Sequence, residues 1–239
     1  MNLLDLLFPK RCLGCGKWGR YICSSCQHSM KLLPYLKCPV CEHPAIDGAT
    51  HPKCQTPYTI DGLTSFFRYD GIVKKAIKKI KYRYVSDIVS ELISCIPTSS
   101  FSILTKLLSS KSLSFFFVPI PLYPSRYRDR GFNQAEVIAH ALSKRLNIPV
   151  KTNLLIRTKK TTPQVEMKDR DKRLTNMKDV FAVSFPELKK FQFRECERKD
   201  HRAILLIDDV FTTGATLRSA ASVLKHIGVK FVWGVTLAQ

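Results

Sequence analysis

Two adjacent aspartates, Asp208 and Asp209, stand near the end of this 239-residue chain, between a short apolar run and a segment rich in threonine. Ionised carboxylates only accept hydrogen bonds, so the hydroxyl groups of a sugar suit them and a phosphate does not. The small and hydroxyl residues that follow are Thr212, Thr213, Gly214, Ala215 and Thr216. Hydroxyl donors and free backbone N–H groups at a helix start favour an anion. The residue types therefore predict a cradle for a phosphorylated ribose.

The flanking residues predict the elements that hold this cradle. Ile204–Ile207 has the composition of a buried parallel strand, and Leu217–Ile227 carries apolar residues at helical spacing. The cradle then joins the carboxyl end of a strand to the start of a helix, and Gly214 lets the backbone approach a ligand closely. The succession Ile204–Thr216 resembles the phosphoribosyl pyrophosphate (PRPP) motif of type I phosphoribosyltransferases.

A second group of polar residues follows another apolar strand, Phe115–Leu122. Its cations and amides are Arg126, Arg128, Arg130, Asn133 and Gln134. A strand, an arginine-rich loop and a helix make a second anion site. Two such sites at neighbouring strand ends fit a substrate with a phosphate at one end and a pyrophosphate at the other.

Seven of the nine cysteines lie between Cys12 and Cys54, and with His51 they form pairs separated by two residues. Eight such ligands match two tetrahedral zinc ions. Sequential pairing predicts one site from Cys12, Cys15, Cys23 and Cys26 and another from Cys38, Cys41, His51 and Cys54. Cross-bracing would exchange these partners, and His43 competes with His51 as a donor. Disulfides are disfavoured because no secretory signal is recognisable and cytosolic thiols stay reduced.

Charge and length bound the remaining possibilities. Lys and Arg number 39 against 19 acids, a formal charge of +20, which favours nucleic acid, a phosphorylated substrate or an anionic membrane surface as partner. The sequence contains no run of ~18 apolar residues and therefore predicts no transmembrane helix. We expect a cytoplasmic protein without a membrane span. The length exceeds one typical domain. We predict a double zinc-binding module over residues 1–60 and an α/β domain over residues 61–239.

An amphipathic helix with a strongly basic face is predicted at the entrance to the second domain. Its cations are Lys74, Lys75, Lys78, Lys79, Lys81 and Arg83, with no acid among them. Like charges at helical spacing repel, so this face costs stability unless an anion lies against it. Tyr82 and Tyr84 alternate with the last cations, and cations beside aromatic rings suit single-stranded nucleic acid. A solvated lysine face is the alternative interpretation.

Three motifs behind the cysteine pairs, Val118-Pro-Ile-Pro, Arg130-Gly-Phe-Asn-Gln and Asp208-Asp209, resemble the ComF family of competence-associated, phosphoribosyltransferase-like proteins. The resemblance covers nearly the whole chain. It implies a type I phosphoribosyltransferase-like α/β fold, a Rossmann-like parallel sheet with helices on both faces, preceded by a zinc-ribbon-like module. It also implies a mobile hood loop, whose matching residues are Arg157, Gln164, Arg173 and Asn176.

For function, the resemblance implies PRPP with Mg²⁺ as ligand and a role in DNA uptake and natural transformation, with single-stranded DNA and other competence proteins as partners. In a catalytic protein, Asp208 and Asp209 would position the ribose and the arginines would stabilise the departing pyrophosphate, with Arg157 and Arg173 as further catalytic residues. No acceptor pocket is recognisable in the sequence. A transferase of nucleotide metabolism, a PRPP-sensing module without turnover and a DNA-handling factor all remain open.

Overall fold

A computed structural model describes residues 10–81, 85–109, 113–159, 180–184 and 202–239. The strands are β1 (Gly62–Phe67), β2 (Ser114–Pro119), β3 (Leu155–Arg157), β4 (Phe181–Val183), β5 (Arg202–Val210) and β6 (Phe231–Ala238). The helices are α1 (Ser24–Gln27), α2 (Gly71–Ile80), α3 (Val85–Ser94), α4 (Ser102–Leu108), α5 (Pro124–Arg130), α6 (Gln134–Leu146) and α7 (Ala215–His226). Short 3-10 turns lie at Ile46–Gly48, Pro52–Cys54 and Thr98–Phe101.

A parallel sheet in the order β1-β6-β5-β2 forms the centre of the fold, and β3 pairs with β4 in a separate antiparallel ribbon. Parallel strands bring their carboxyl ends to one edge. Because β2 and β5 are neighbours, the residues that follow β2 lie beside the acid pair at the end of β5. This confirms the predicted α/β class and the predicted adjacency of the two polar segments.

Helices cover both faces of the sheet, because alternate strand residues point to opposite sides. In β5, Leu205 belongs to one buried cluster with residues of α2, α3 and α6, whereas Leu206 belongs to another with residues of α7. The helices follow the apolar periodicity of the sequence. In α2 the buried side chains are Val73, Ala76, Ile77 and Ile80. Full burial of a valine or isoleucine side chain stabilises the fold by about 1.5–3 kcal/mol.

The cysteine-rich module packs against the outer edge of β1. Single antiparallel bridges join Leu32 to Phe67 and Ala49 to Gly62. Farther away, Arg218 of α7 donates a hydrogen bond from Nη1 to the Pro39 carbonyl oxygen at 2.7 Å. Backbone pairing therefore holds the module on the α/β part, and the boundary between residues 60 and 61 stays a prediction.

The arginine-rich segment after β2 is helical, so its prediction as a loop is wrong. Pro124 occupies the first turn of α5, where its fixed φ suits a helix and its missing N–H is not needed. Gly131 ends the helix with a left-handed φ of 77°. The segment therefore presents its arginines at fixed helical positions.

Among the described residues, no single helix has both the length and the apolar composition needed to cross a membrane. One bent pair, Ser86–Ser94 with Thr98–Leu108, passes that test together at an angle of 99°.

Candidate ligand cavity and zinc centres

A cavity of about 600 Å³ opens at the carboxyl ends of β2 and β5. It brings together residues that the sequence distributes over more than 90 positions. The predicted ligand-binding residues that line it are Arg126, Arg130, Asn133, Gln134, Arg157, Asp208, Asp209, Thr212, Gly214 and Thr216. The cavity thus combines two acids with several cations and hydrogen-bond donors, which suits a ligand that carries both hydroxyl and phosphate groups.

Among the residues that the structure describes, three predicted binding residues lie outside the cavity wall. Arg128 is exposed on α5, because it lies about 200° around the helix from Arg126, whereas Arg130 is one turn along on the same side. Thr213 is buried, and no described residue forms a hydrogen bond with its hydroxyl. The Ala215 side chain packs in the core beneath α7. These positions give no support to the predicted ligand contacts of the three residues.

The two aspartates of the acid pair have different hydrogen-bond and charge partners. Asp208 Oδ1 accepts a hydrogen bond from the Asp209 backbone N–H at 2.9 Å, and Asp209 Oδ2 lies 3.4 Å from Lys81 Nζ. Burial, and then the charge of Asp209, raises the pKa of Asp208 to about 8. Asp208 therefore holds a proton near neutral pH in the ligand-free cavity. It can donate a hydrogen bond there, unlike the purely accepting carboxylate that the sequence suggests.

The cations of the cavity come from separate elements. Arg157 ends β3, where burial and then the charge of Arg126 lower its pKa to about 10, so it stays positive at neutral pH. Lys81 directly follows α2. Three guanidinium groups, of Arg126, Arg130 and Arg157, and the ammonium group of Lys81 line one cavity and repel each other. A multiply charged anion would relieve that repulsion.

The start of α6 adds hydrogen-bonding groups to the wall. Asn133 caps this helix, because its Oδ1 accepts from the Ala135 N–H at 3.1 Å and its Nδ2 donates to the Ile120 carbonyl oxygen at 3.0 Å. Asn133 thus positions the wall as well as lining it. Gln134 is 4% exposed, and within the described ranges its Nε2 has no hydrogen-bond acceptor. An unsatisfied buried amide at a cavity wall is a donor available to a ligand.

Gly214 has a local reason to be glycine. Its φ is 70°, and a Cβ at this position would lie 2.5 Å from the Phe211 ring. The residue thereby joins β5 to α7 in a conformation that other residues rarely adopt. Its predicted close approach to a ligand stays a prediction.

Sequence reasoning missed Tyr69 and Asp129 as cavity residues and placed Lys81 on a nucleic-acid surface. Tyr69 comes two residues after the end of β1 in the same parallel sheet, so the rule that ligands bind at carboxyl strand ends could have found it. Lys81 is separated from the acid pair by 127 positions, and no local pattern reveals their contact.

The basic face of α2 forms as predicted, with Lys74, Lys75, Lys78 and Lys79 exposed. Its contact with nucleic acid stays a prediction. Arg83 and the two tyrosines beside it lie outside the described residues, as do Gln164, Arg173 and Asn176 of the predicted hood loop.

The cysteine pairs converge into two clusters, each with ligand atoms within 4.8 Å of one another. The clusters are Cys12, Cys15, Cys23 and Cys26, and Cys38, Cys41, His51 and Cys54. This confirms sequential pairing and the choice of His51 over His43. None of the described cysteines forms a disulfide.

Individual distances in the clusters fit tetrahedral zinc. A Zn–S bond of about 2.3 Å places two ligand sulfurs roughly 3.7 Å apart, and Cys15 Sγ lies 3.6 Å from Cys23 Sγ. In the second cluster His51 Nδ1 lies 3.2 Å from Cys41 Sγ, while its Nε2 lies 3.0 Å from the Pro44 carbonyl oxygen. That second contact holds the ring in the tautomer with a free Nδ1.

Comparison with known proteins finds a matching domain model for the cysteine-rich module and relatives that cover most of the chain. Residues 3–55 match the double zinc ribbon domain model. Competence protein ComFC of Bacillus subtilis is 30% identical over 220 residues, which cover 87% of this chain and 79% of that protein. The chain belongs to the ComF family. The double zinc ribbon match spans all eight ligands of the two clusters.

Other ComF-family relatives differ in how much of the chain they match. DNA utilization protein YhgH of Escherichia coli strain K12 is 28% identical over 229 residues, 92% of this chain and 90% of that protein. Competence protein F of Haemophilus influenzae is 36% identical over 123 residues, 51% of this chain and 49% of that protein.

Proposed function

We propose that the cavity binds PRPP with Mg²⁺ and that the protein acts in DNA uptake, where the basic face of α2 contacts single-stranded DNA. The observation that carries the proposal is the convergence of Asp208 and Asp209 with Arg126, Arg130 and Arg157 at one edge of the parallel sheet. Acids alone would suit a cation or a sugar, and arginines alone any anion. Their combination selects a ligand with hydroxyl groups at its centre and phosphates at its ends.

Each part of PRPP has a counterpart in the cavity. The acid pair suits the ribose diol, and the proton on Asp208 lets this residue donate as well as accept. The Thr212–Thr216 segment leads into α7, and the start of this helix, with its positive dipole end, suits the 5-phosphate. Arg126, Arg130 and Lys81 suit the pyrophosphate.

The donor set also fits Mg²⁺, because carboxylate oxygens are hard ligands and this ion is often bound through phosphates with few protein ligands. Asp209, and Asp208 once it has released its proton, are the residues that would hold the ion. When bound, Mg²⁺ neutralises part of the pyrophosphate charge. The cations of the wall offset the rest, and the buried amide of Gln134 orients the ligand.

A role in DNA uptake is supported by the relatives and by charge. ComF-family relatives carry the names competence protein and DNA utilization protein. The formal charge of +20 exceeds what one small phosphorylated ligand neutralises. A second, polymeric anion is the simplest partner for the remaining excess.

PRPP binding is tested with a matched pair of arginines on α5. Titration calorimetry with Mg²⁺-PRPP on the zinc-loaded protein should show that Arg126→Ala weakens binding by about tenfold or more, since it removes a charge-assisted contact. Arg128→Ala, which removes an exposed arginine of the same helix, should change affinity less than about twofold. Equal effects of the two substitutions, or no binding to the unmodified protein, would contradict the proposal.

DNA binding is tested by the salt dependence of affinity for a single-stranded oligonucleotide. Replacing Lys74, Lys75, Lys78 and Lys79 with serine should reduce the slope of log K against log salt by up to about 3, because each phosphate contact contributes about 0.7. PRPP binding serves as the control for folding. An unchanged slope would remove α2 from the DNA surface.

A further inference from the structure

The first zinc ribbon is the segment that holds the cluster of Cys12, Cys15, Cys23 and Cys26. It carries an exposed aromatic side chain that belongs neither to the core nor to the zinc cluster. Trp18 is 62% exposed. Its ring lies 4.0 Å from the Arg11 guanidinium, and an antiparallel bridge joins the two residues. Exposure of a tryptophan sacrifices the free energy that burial would provide, so a large open ring beside a cation suggests a ligand with a flat π system.

The surroundings of Trp18 are strongly basic. Residues 10–41 contain no acidic residue. Lys17 and Arg20, on either side of Trp18 in the sequence, are both exposed. The ribbon therefore combines an aromatic platform with cations, which is the composition that binds single-stranded nucleic acid through stacking and phosphate neutralisation.

The ribbon is continuous with the basic face of α2. The Tyr21 ring lies near two cations, because Lys10 Nζ and Lys79 Nζ are each 6.0 Å from its centroid. Lys10 also pairs with Asp87 at 2.7 Å, so part of its charge is already compensated. The packing at this junction is close, since a Cβ on Gly14 would lie 2.8 Å from Ile72 Cδ1 of α2.

The same helix also contacts the ligand cavity. Lys74 Nζ lies 5.8 Å from the centroid of Tyr69, a cavity residue, and Lys81 follows the last turn. The basic face therefore belongs to a helix about 15 Å long that contacts both the zinc ribbon and the residues of the cavity rim. Aromatic rings accompany the cations at both ends of that helix.

We propose that Trp18 and Arg11 form a base-stacking site on the first zinc ribbon, which extends the basic face of α2 into one binding surface for single-stranded DNA. The inference rests on the DNA-handling role proposed above. It assigns the ribbon a binding function in addition to its contribution to folding. A base stacks on the Trp18 ring, and the neighbouring cations neutralise the backbone on either side.

Intrinsic fluorescence tests this site directly, because the chain has two tryptophans in opposite environments. Trp233 is 4% exposed and donates from Nε1 to Thr64 Oγ1 at 3.0 Å, so solvent-borne bases do not reach it. Titration of the zinc-loaded protein with a dT oligonucleotide of about 15 nucleotides should quench Trp18 emission. Fluorescence anisotropy of a labelled copy measures affinity independently.

Variants separate stacking from charge and folding. Trp18→Ala should weaken oligonucleotide binding about 5- to 100-fold, and Trp18→Phe, which keeps an aromatic ring, should restore part of that loss. Arg11→Ala should weaken binding, whereas Arg128→Ala, on another surface, should not. Zinc content and PRPP affinity should be unchanged in all four variants, which confirms that they are folded.

The outcomes distinguish this inference from the function on which it rests. Oligonucleotide binding that is equally tight in Trp18→Ala, with no quenching in the unmodified protein, overturns the stacking site but leaves α2 as the DNA surface. Failure of the unmodified protein to bind DNA at low salt overturns the DNA-handling proposal itself. At least tenfold tighter binding of oligo(U) than of oligo(dT) overturns the assignment to DNA.

Discussion

Replacing Asp208 with asparagine should stabilise the ligand-free protein, by an amount that increases with pH. The pKa of this carboxyl group is raised from 3.8 to about 8, by burial and then by the charge of Asp209. The folded chain therefore holds the Asp208 proton more tightly than the unfolded chain. The resulting stability is complete below pH about 4 and is lost as pH rises toward 8.

The pKa shift sets the size of the effect. At pH 7 the unfolded chain has lost the proton and the folded chain still holds it, about three pH units above the unfolded pKa. Each unit is worth about 1.4 kcal/mol, which gives an upper limit of about 4 kcal/mol at pH 7. Asparagine keeps an oxygen that can accept the Asp209 N–H hydrogen bond, so little is lost in exchange. We expect a gain of about 2–4 kcal/mol, or about 4–16 °C in Tm.

Urea denaturation at pH 5, 7 and 8.5 in zinc-containing, phosphate-free buffer measures this difference. Zinc binding also depends on pH, but it affects both proteins equally and cancels in their difference. Asp87→Asn, which replaces a half-exposed surface acid, should give a small change that does not vary with pH. The same Asp208→Asn protein should bind PRPP more weakly, so stability and affinity should change in opposite directions.

A specific result would refute this reasoning. If Asp208→Asn is no more stable than the unmodified protein at pH 8.5, or if the difference is the same at pH 5 and pH 8.5, the carboxyl group does not titrate in a desolvated cavity. The acid pair would then be an ordinary solvated feature of the sheet edge.

Three further outcomes follow from the same contacts. His51→Ala should reduce bound zinc, measured by elemental analysis, from about two ions per chain to about one, since only the second cluster contains this ligand; loss of both ions would show that the clusters fold as one unit. Gly214→Ala should lower the free energy of unfolding by about 1–2 kcal/mol or more, because φ is 70° and the added Cβ meets the Phe211 ring. Urea denaturation measures this free energy. An unchanged value would contradict that geometry. Lys81→Met should raise the pKa of Asp208, because the substitution removes a cation beside the acid pair. Carboxyl ¹³C NMR measures this pKa. A lower pKa in the variant would show that the ion pair between Lys81 and Asp209 does not form in solution.

Features that depend on short stretches of chain could be predicted from the sequence. Two residues between paired ligands suffice for a zinc knuckle, so the four ligand pairs could be predicted from the sequence. The structure decided in favour of sequential pairing and of His51 over His43. An apolar strand, two acids and a threonine segment before a helix likewise predict the Asp208–Thr216 region, because a strand end and a helix start are local events.

Other features required the assembled molecule, because they depend on distance through space and on exclusion of water. Helix formation in α5 decides that Arg126 faces the cavity and Arg128 does not. The packing of α2 against the sheet carries Lys81 to the acid pair and brings the ribbon of Trp18 beside the same basic helix. Burial by distant elements gives Asp208 its raised pKa. The sequence by itself determined which chemical groups are present and in what local order, and only tertiary structure decided which of them meet and how strongly water screens them.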